Sequence, residues 1–327
     1  MTRQGASREA IESHYDVGAD FYALWLDRRL TYSCALWPNE EWPNEEWPND
    51  DLEAAQTAKL DLHARWAGAT RATAGGDPAA VRRVLDVGCG WGSMLSHLVD
   101  HYGVTNGTGL TLSSDQAATI TAAGRSEIAV HLTDWRDHHP VLPYDGIVSI
   151  GAFEHFAHGG LDGAERRDVY EQFFERCWTW LRPGGRLSLQ SIAMEDESGG
   201  DGPLTNFLSR DVFPESALPR LSDIVTAADR WFRIQAVRSD AAHYEHTLRL
   251  WQRRLEAHKA EATELAGRAT YRHYLRYLRV CRAMFDRGNC TLYRVGFLRR
   301  NDPDRLDAAL GARSPANPSQ GVVISSN

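Results

Sequence analysis

The chain has 327 residues, of which 43% are hydrophobic and 24% charged, with a formal net charge of -8. These fractions predict a globular protein with a large core, and the negative charge disfavours nucleic acid as a general partner. The five cysteines lack metal-ligand spacing, the N-terminus lacks an apolar signal core, and no apolar run is long enough to span a membrane. We therefore expect a reduced, cytoplasmic protein without a bound metal.

The N-terminal segment carries aromatic and aliphatic residues between positions 8 and 30, and the spacing of Phe21, Leu24 and Trp25 predicts short amphipathic helices. A pentad repeat, Trp-Pro-Asn followed by two acidic residues, begins at Trp37 and recurs twice up to Asp51. Its prolines exclude a continuous helix, and its period is too short for a solenoid. We interpret the repeat as a surface loop, and a binding role for its tryptophans is the alternative.

Strand and helix patterns alternate through the middle of the chain. A helical pattern from Leu52 to Trp66 is followed by strand patterns at 83–88, 106–112, 128–132, 145–151 and 185–192, with a long helix from Tyr170 to Leu181 before the last of them. Such alternation predicts an α/β fold with a parallel sheet and helices on both faces. Ligands of such sheets bind at the carboxyl edge of the strands.

The last third of the chain is mainly helical in pattern. Residues 195–220 are rich in Gly, Asp, Ser and Pro and predict an excursion that covers the site. Helices are predicted at 221–231 and 245–285, and the apolar face of the second is either core or the lining of an acyl or isoprenoid tunnel. Residues 301–327 predict a disordered tail.

A glycine-rich turn follows the first predicted strand of the α/β region. Gly88, Gly90 and Gly92 allow the backbone to turn sharply and to approach a ligand closely. A dinucleotide and S-adenosylmethionine (SAM) both suit such a turn. The third glycine of a dinucleotide fingerprint would fall at Ser93, and no acidic residue stands about 20 positions beyond Gly88. Because Asp86 inside the strand is typical of methyltransferases, the turn predicts SAM binding.

Two further segments are specific, Thr31-Tyr32-Ser33-Cys34 and Gly151-Ala152-Phe153-Glu154-His155-Phe156. With residues 85–92, 109–116, 243–248 and 274–278, they show that the chain resembles the cyclopropane-fatty-acid synthase and mycolic-acid methyltransferase family over about residues 10–297. The resemblance implies a Rossmann-like sheet with an N-terminal helical lid and an inserted and C-terminal helical cap. We divide the chain accordingly into a lid with the repeat loop (1–66), a SAM-binding core (67–194), a cap with C-terminal helices (195–300) and a tail (301–327).

The resemblance implies SAM as the cofactor and ten residues that bind it. They are Tyr32, Ser33, Asp86, Gly88, Gly90, Gly92, Thr111, Gln116, Asp134 and Trp135. The chain departs from the family at the adenine edge, where a Trp-Glu pair is replaced by Trp135-Arg136. We expect Trp135 to stack on adenine and Asp134 to take over the contact with the adenine amino group.

The resemblance also implies a reaction. An alkene in a long acyl chain attacks the SAM methyl group, and the resulting carbocation loses a proton as a cyclopropane closes. Bicarbonate is the implied base, held by Cys34, Glu154, Tyr244 and the backbone of Ile192. Where family members have a histidine, this chain has Gln190, which donates a hydrogen bond but cannot become cationic. Methyl transfer is therefore expected, while ring closure and bicarbonate binding stay open.

Three of the implied catalytic residues have a structural alternative. Cys34 is otherwise a small buried apolar residue, Glu154 the cap of a turn, and Tyr244 part of helix packing. His155 and His158 lack a nearby third ligand, which disfavours a metal site. The arginines between positions 249 and 279 predict a solvated helix face, and binding of a phosphate, a carrier protein or a lipid headgroup is the alternative.

The preferred function is a SAM-dependent C-methyltransferase. It acts through a carbocation on an alkene of a hydrophobic acyl or isoprenoid substrate and gives a cyclopropane or methyl-branched product. Transient contact with a membrane or a carrier protein belongs to this hypothesis. The alternative is a specialised-metabolism methyltransferase acting on carbon, nitrogen or oxygen of a small molecule. A non-catalytic SAM- or lipid-binding protein is a third hypothesis, which Cys34, Glu154 and Tyr244 together disfavour.

Overall fold

The computed structural model describes residues 5–7, 17–37, 50–71, 81–195 and 215–301. Residues 8–16, the pentad repeat between Trp37 and Asp50, most of the predicted excursion 195–220 and the predicted tail beyond residue 301 lie outside the described residues. No helix in the described ranges combines the length and the apolar character that crossing a bilayer requires.

Eight helices and seven strands make up the described part of the chain. The helices are α1 (Ala19–Ala23), α2 (Leu52–Trp66), α3 (Ser93–Tyr102), α4 (Ser114–Ala122), α5 (Gly163–Trp180), α6 (Leu221–Ala228), α7 (Ala241–Ala257) and α8 (Lys259–Asp286). The strands are β1 (Arg83–Val87), β2 (Asn106–Thr111), β3 (Ile128–Leu132), β4 (Tyr144–Ile150), β5 (Leu181–Met194), β6 (Phe232–Ser239) and β7 (Cys290–Arg299). Two short 3-10 helices, Trp135–Asp137 and Phe153–His155, follow β3 and β4.

A single sheet organises these elements in the strand order β3-β2-β1-β4-β5-β7-β6. The first five strands run parallel to one another, whereas β7 lies antiparallel between β5 and β6. The predicted α/β fold with a parallel sheet is confirmed. Because β1 lies between β2 and β4 and all three run parallel, the residues that follow these three strands meet at one edge of the sheet.

The two faces of the sheet are buried under different helices. Successive residues of a strand point to opposite faces, and in β1 the side chain of Val84 packs with α2 and α3 while that of Leu85 packs with α5. A third cluster, rich in aromatic residues, joins α1 and the loop after it to α7 and α8. The predicted helix Leu52–Trp66 is confirmed, and Asp51 caps it by accepting a hydrogen bond from Ala54 N.

The structure corrects the expectations for the C-terminal third. The predicted helix 221–231 ends at Ala228 and gives way to β6. The single helix expected over 245–285 is two helices that meet at His258, and Gly267 interrupts the second with a φ of 82°. Neither β6 nor β7 follows from the sequence pattern. An edge strand such as β6 needs no continuous apolar alternation, and in β7 the apolar pattern is broken by Arg294 and Gly296.

The expected surface position of the pentad repeat is wrong for its first residue. Trp37 is 2% exposed, and its indole N–H donates to Thr247 Oγ1 on α7 over 3.1 Å. A buried indole N–H needs such a partner. The residue therefore attaches the N-terminal segment to α7.

Candidate functional site

A cavity of about 140 Å³ lies at the carboxyl ends of β1, β2 and β4. Its wall includes nine of the ten residues expected to bind the cofactor: Tyr32, Ser33, Asp86, Gly88, Gly90, Thr111, Gln116, Asp134 and Trp135. The tenth, Gly92, starts α3 with a φ of 82°, and a Cβ there would stand 3.0 Å from Ile120 Cγ1. The sheet edge thus gathers residues that are up to 103 positions apart in the sequence.

The glycine-rich turn forms one wall of this cavity. At Gly88 the φ is 82°, and an added Cβ would lie 2.3 Å from Ala152 Cβ. The N–H groups of Gly88 and Cys89 both donate to Leu110 O over 3.0 Å, which fixes the turn against β2. Only glycine permits this combination of backbone angle and close approach.

Aromatic groups form the end of the cavity near residue 135. Trp135 is buried, packs edge-on against Phe173 with ring centroids 5.5 Å apart, and has the Arg136 guanidinium 4.5 Å from its own centroid. Asp134 accepts a hydrogen bond from Arg136 N over 2.8 Å and forms an ion pair with the Arg136 side chain. This end of the cavity therefore offers a flat apolar surface beside a charged pair.

Charged groups lie at the other end of the cavity. Asp86 is buried, and its Oδ1 has no hydrogen-bond partner among the described residues. Burial raises the pKa of this carboxyl to about 7, against the effect of the Lys59 ammonium. Lys59 also lines the cavity and donates to Ser33 Oγ over 2.9 Å.

Two of the expected catalytic residues contact each other directly. Glu154 lies in the 3-10 helix after β4, and its Oε1 accepts a hydrogen bond of 2.6 Å from the Ile192 N–H on β5. Its Oε2 is buried without a partner among the described residues. Burial raises the pKa of Glu154 to about 7, although the Ile192 N–H opposes the shift. The expected backbone donor of Ile192 is therefore directed at Glu154.

A buried arginine joins two other expected catalytic residues. Arg294 on β7 stands opposite Gln190 on β5 in the strand register, and its Nε donates to Gln190 Oε1 over 2.8 Å. Its Nη2 donates to Cys34 O over 3.2 Å, and its Nη1 forms an ion pair with Asp240. Burial raises the pKa of Cys34 to about 11 in spite of Arg294, so this thiol is protonated at neutral pH.

Tyr244, the remaining expected catalytic residue, lies on α7 in the aromatic cluster. Its ring centroid is 4.7 Å from that of Phe285 and 6.2 Å from that of Trp251. The same cluster contains Tyr32 and Trp91, which also line the cavity. An aromatic wall therefore runs from the cavity to Tyr244, and such ring faces attract a cation without offering it a nucleophile.

A family model described as mycolic acid cyclopropane synthetase matches residues 2–295. The chain belongs to this family. The cyclopropane mycolic acid synthase 2 of Mycobacterium leprae is 36% identical over 297 residues, which cover 85% of this chain and 89% of that protein.

Solved structures of the family agree with this assignment. The structure of the cyclopropane synthase MmaA2 from Mycobacterium tuberculosis matches with a TM-score of 0.76 and 29% identity, covering 90% of this chain and 99% of that one. The mycolic acid cyclopropane synthase CmaA1, complexed with S-adenosylhomocysteine (SAH) and CTAB, matches with a TM-score of 0.75, 30% identity and the same coverage. The protein is a SAM-dependent methyltransferase of the cyclopropane mycolic acid synthase type, as expected from the resemblance.

The groups that line the cavity are chemically suited to SAM, the cofactor of this family. The free Asp86 Oδ1 suits the cationic methionyl part of the cofactor, and the Trp135 surface suits a flat base. The crowded turn at Gly88 leaves the backbone itself as the cavity wall.

Sequence reasoning missed two buried basic residues of this chain, Lys59 and Arg294. Lys59 is one of only two lysines in the chain. The small number of lysines, considered alone, indicates the base composition of the genome and not a functional site. The predicted helix Leu52–Trp66 gives no signal for Lys59, because the residues three and four positions away, Gln56 and His63, are polar and predict a solvated face. Only the structure shows that all three are buried. Arg294 gives no signal either, since β7 itself is not predicted.

Proposed function

We propose that the protein transfers the SAM methyl group to an alkene carbon of a hydrophobic acyl chain and that a carbocation forms on the acceptor. When bound, SAM supplies an electrophilic methyl group. The aromatic wall between the cavity and Tyr244 supports the proposal, because it can stabilise a positive charge that has no counter-ion of its own. The complex of CmaA1 with CTAB supports a hydrophobic acceptor.

The carboxyl group of Glu154 is the observation that carries this proposal. It is buried, has one free oxygen, and has a pKa raised to about 7 by burial. A group that titrates near neutral pH can hold or release a proton during turnover. The N–H of Ile192 fixes Glu154 Oε1, and the Ile192 side chain packs against the aromatic cluster, which connects Glu154 to that cluster through one residue.

Bicarbonate, the base implied by the resemblance, would be held by Glu154, Cys34 and Tyr244 and would supply a proton acceptor there. Two adjacent anions repel each other, but a Glu154 with a raised pKa can keep its proton and donate it in a hydrogen bond. The buried Oε2 without a partner fits this role.

Arg294 accounts for the departure at Gln190. Family members have a histidine at the position of Gln190. In this chain Arg294 places a permanent cation against Gln190 Oε1 and Cys34 O. Its ion pair with Asp240, directly before α7, connects this cation to the helix that carries Tyr244. We assign to Arg294 the positive charge that Gln190 lacks.

An acidic carrier protein is the partner that the surface favours for delivering the acyl chain. Arg268, Arg272, Arg276 and Arg279 are exposed on one face of α8 and border an open groove. Arginines four positions apart repel each other on a helix, and a partner of negative charge relieves this repulsion. Because the groove is concave, it suits an acidic helix of a partner protein better than a flat membrane. If the protein sediments with anionic vesicles but does not bind an acidic carrier protein, the membrane and not a carrier protein delivers the acyl chain.

A cytoplasmic location is part of the proposal, and the five cysteines, all free thiols, support it.

Methyl-¹³C SAM tests the function as a whole. Purified protein is incubated with this SAM and an unsaturated lipid extract, and the lipids are examined by mass spectrometry and carbon NMR. High-field cyclopropane carbons or a labelled methyl branch on an acyl chain support the proposal. If protein that binds SAH labels no acyl chain, the acceptor is a small metabolite instead.

A further inference from the structure

Lys59 is a buried cation without a counter-ion in direct contact. Its side chain on α2 is 1% exposed, yet it forms part of the cavity wall. Its ammonium group has three N–H donors, and among the described residues one of them donates to Ser33 Oγ over 2.9 Å. No carboxylate of the described residues lies within the 4.0 Å of an ion pair. Such a group is costly to bury unless a ligand completes it.

The nearest acidic groups do not remove this need. Asp27 is occupied by Thr31, which donates to it from both its N–H and its hydroxyl. Asp86 lines the same cavity with a free Oδ1 but is not in contact with Lys59. The cavity wall therefore contains two separated ionisable groups, an acid and a base, each with unused hydrogen-bonding capacity.

The methionyl end of SAM carries the complementary pair of charges, an ammonium and a carboxylate. We infer that Lys59 and Ser33 together bind the carboxylate of the cofactor, with Asp86 left for the cationic groups. In this arrangement Lys59 Nζ keeps its bond to Ser33 Oγ and directs a second N–H at the carboxylate. The inference rests on the cofactor placement proposed above and not on the identity of the acceptor.

A purely structural role for Lys59 makes a different prediction from a carboxylate site. If the ammonium only holds Ser33 in the loop before Cys34, its loss weakens every ligand of the cavity alike. If it binds the carboxylate, its loss weakens only ligands that carry one. The comparison therefore needs two probes that differ in the carboxylate alone.

Isothermal titration with SAH and with decarboxylated SAH, which keeps the amine, supplies these probes. We expect Lys59→Met to weaken SAH binding by about 10- to 100-fold, the value of one charge-assisted hydrogen bond, and to change binding of the decarboxylated analogue by less than about 2-fold. Equal weakening of both ligands would overturn the inference.

Trp135→Ala is the matched control at the other end of the cavity. It should weaken both ligands equally, because both carry the same adenine. If it weakens neither, the cofactor placement itself is wrong. If it weakens both and Lys59→Met does not discriminate, only the carboxylate site fails.

The unmodified protein gives a second test should Lys59→Met fail to fold. Burial lowers the pKa of Lys59 to about 7, so at higher pH a proton must be taken up when a carboxylate binds. The preference for SAH over the decarboxylated analogue should fall between pH 6 and 8.5. A constant preference over this range would contradict the inference.

Discussion

Replacement of Arg294 by methionine tests how the buried arginine joins three parts of the structure. The guanidinium contacts Gln190 on β5, the carbonyls of Cys34 and Ala35 before the pentad repeat, and Asp240 before α7. Methionine has a similar length but no donor, so the change removes the hydrogen bonds without opening a large cavity.

The magnitude follows from which partners keep another contact. Gln190 Oε1 keeps His63 Nε2 at 3.2 Å, and Asp240 keeps Arg238. The carbonyls of Cys34 and Ala35 lose this donor, at about 1 kcal/mol or more each, and breaking a buried ion pair costs about 3–5 kcal/mol when nothing compensates. We expect Arg294→Met to lower the free energy of unfolding by about 3–5 kcal/mol and Tm by about 10 °C.

Urea unfolding of Arg294→Met, Asp240→Asn and the double variant measures this coupling. Because Asp240→Asn removes the charge that Arg294→Met leaves without its partner, the double variant should lose at least about 1 kcal/mol less than the sum of the single losses. The reasoning is refuted if Arg294→Met costs under about 1 kcal/mol, or if the two losses are additive.

Three further changes have defined outcomes. In Gly88→Ala the new Cβ would lie 2.3 Å from Ala152 Cβ at a φ of 82°, so the variant should lose about 2–4 kcal/mol of unfolding free energy. Gly163→Ala, with open space around the added Cβ, is the control and should keep the Tm of the parent. Equal Tm values for the two variants would contradict this. The pKa of Glu154 in the folded protein is about 7, above its ordinary 4.5, so folding favours the protonated form and stability falls as pH rises from about 4.5 to 7. Glu154→Gln should remove about 2–4 kcal/mol of this fall. The urea midpoints of the variant and the parent should then follow the same pH dependence below pH 5 and separate above it. Thr247→Val leaves the Ala35 N–H without its acceptor at 3.2 Å and should cost about 1–3 kcal/mol; an unchanged urea midpoint would mean that the attachment to α7 is dispensable.

Local sequence determines the part of the fold that could be predicted. The strand before Gly88 and the turn itself depend on neighbouring residues, and so does the helix Leu52–Trp66 with its Asp51 cap. Nine of the ten residues that the family segments led us to expect at the cofactor lie around one cavity.

The parts that could not be predicted depend on contacts between distant residues. Trp37 is buried because Thr247, 210 positions away, accepts its indole N–H. The strand β7 can contain Arg294 because Gln190, Cys34 and Asp240 surround the guanidinium from three other elements. Lys59 becomes part of the site only when Ser33 and Asp86 are brought to the same cavity. No periodicity in the sequence records such neighbours.

The fate of the transferred methyl group tests the central claim most directly. The protein would be supplied with SAM carrying a fully deuterated methyl group and with an unsaturated acyl substrate, and the product mass would be measured. We predict label in the acyl chain, with two deuterium atoms retained if the proton leaves the transferred methyl as a ring closes, and three if it leaves elsewhere as a branch forms. Protein that binds SAH and puts no deuterium into any acyl chain would contradict an alkene acceptor.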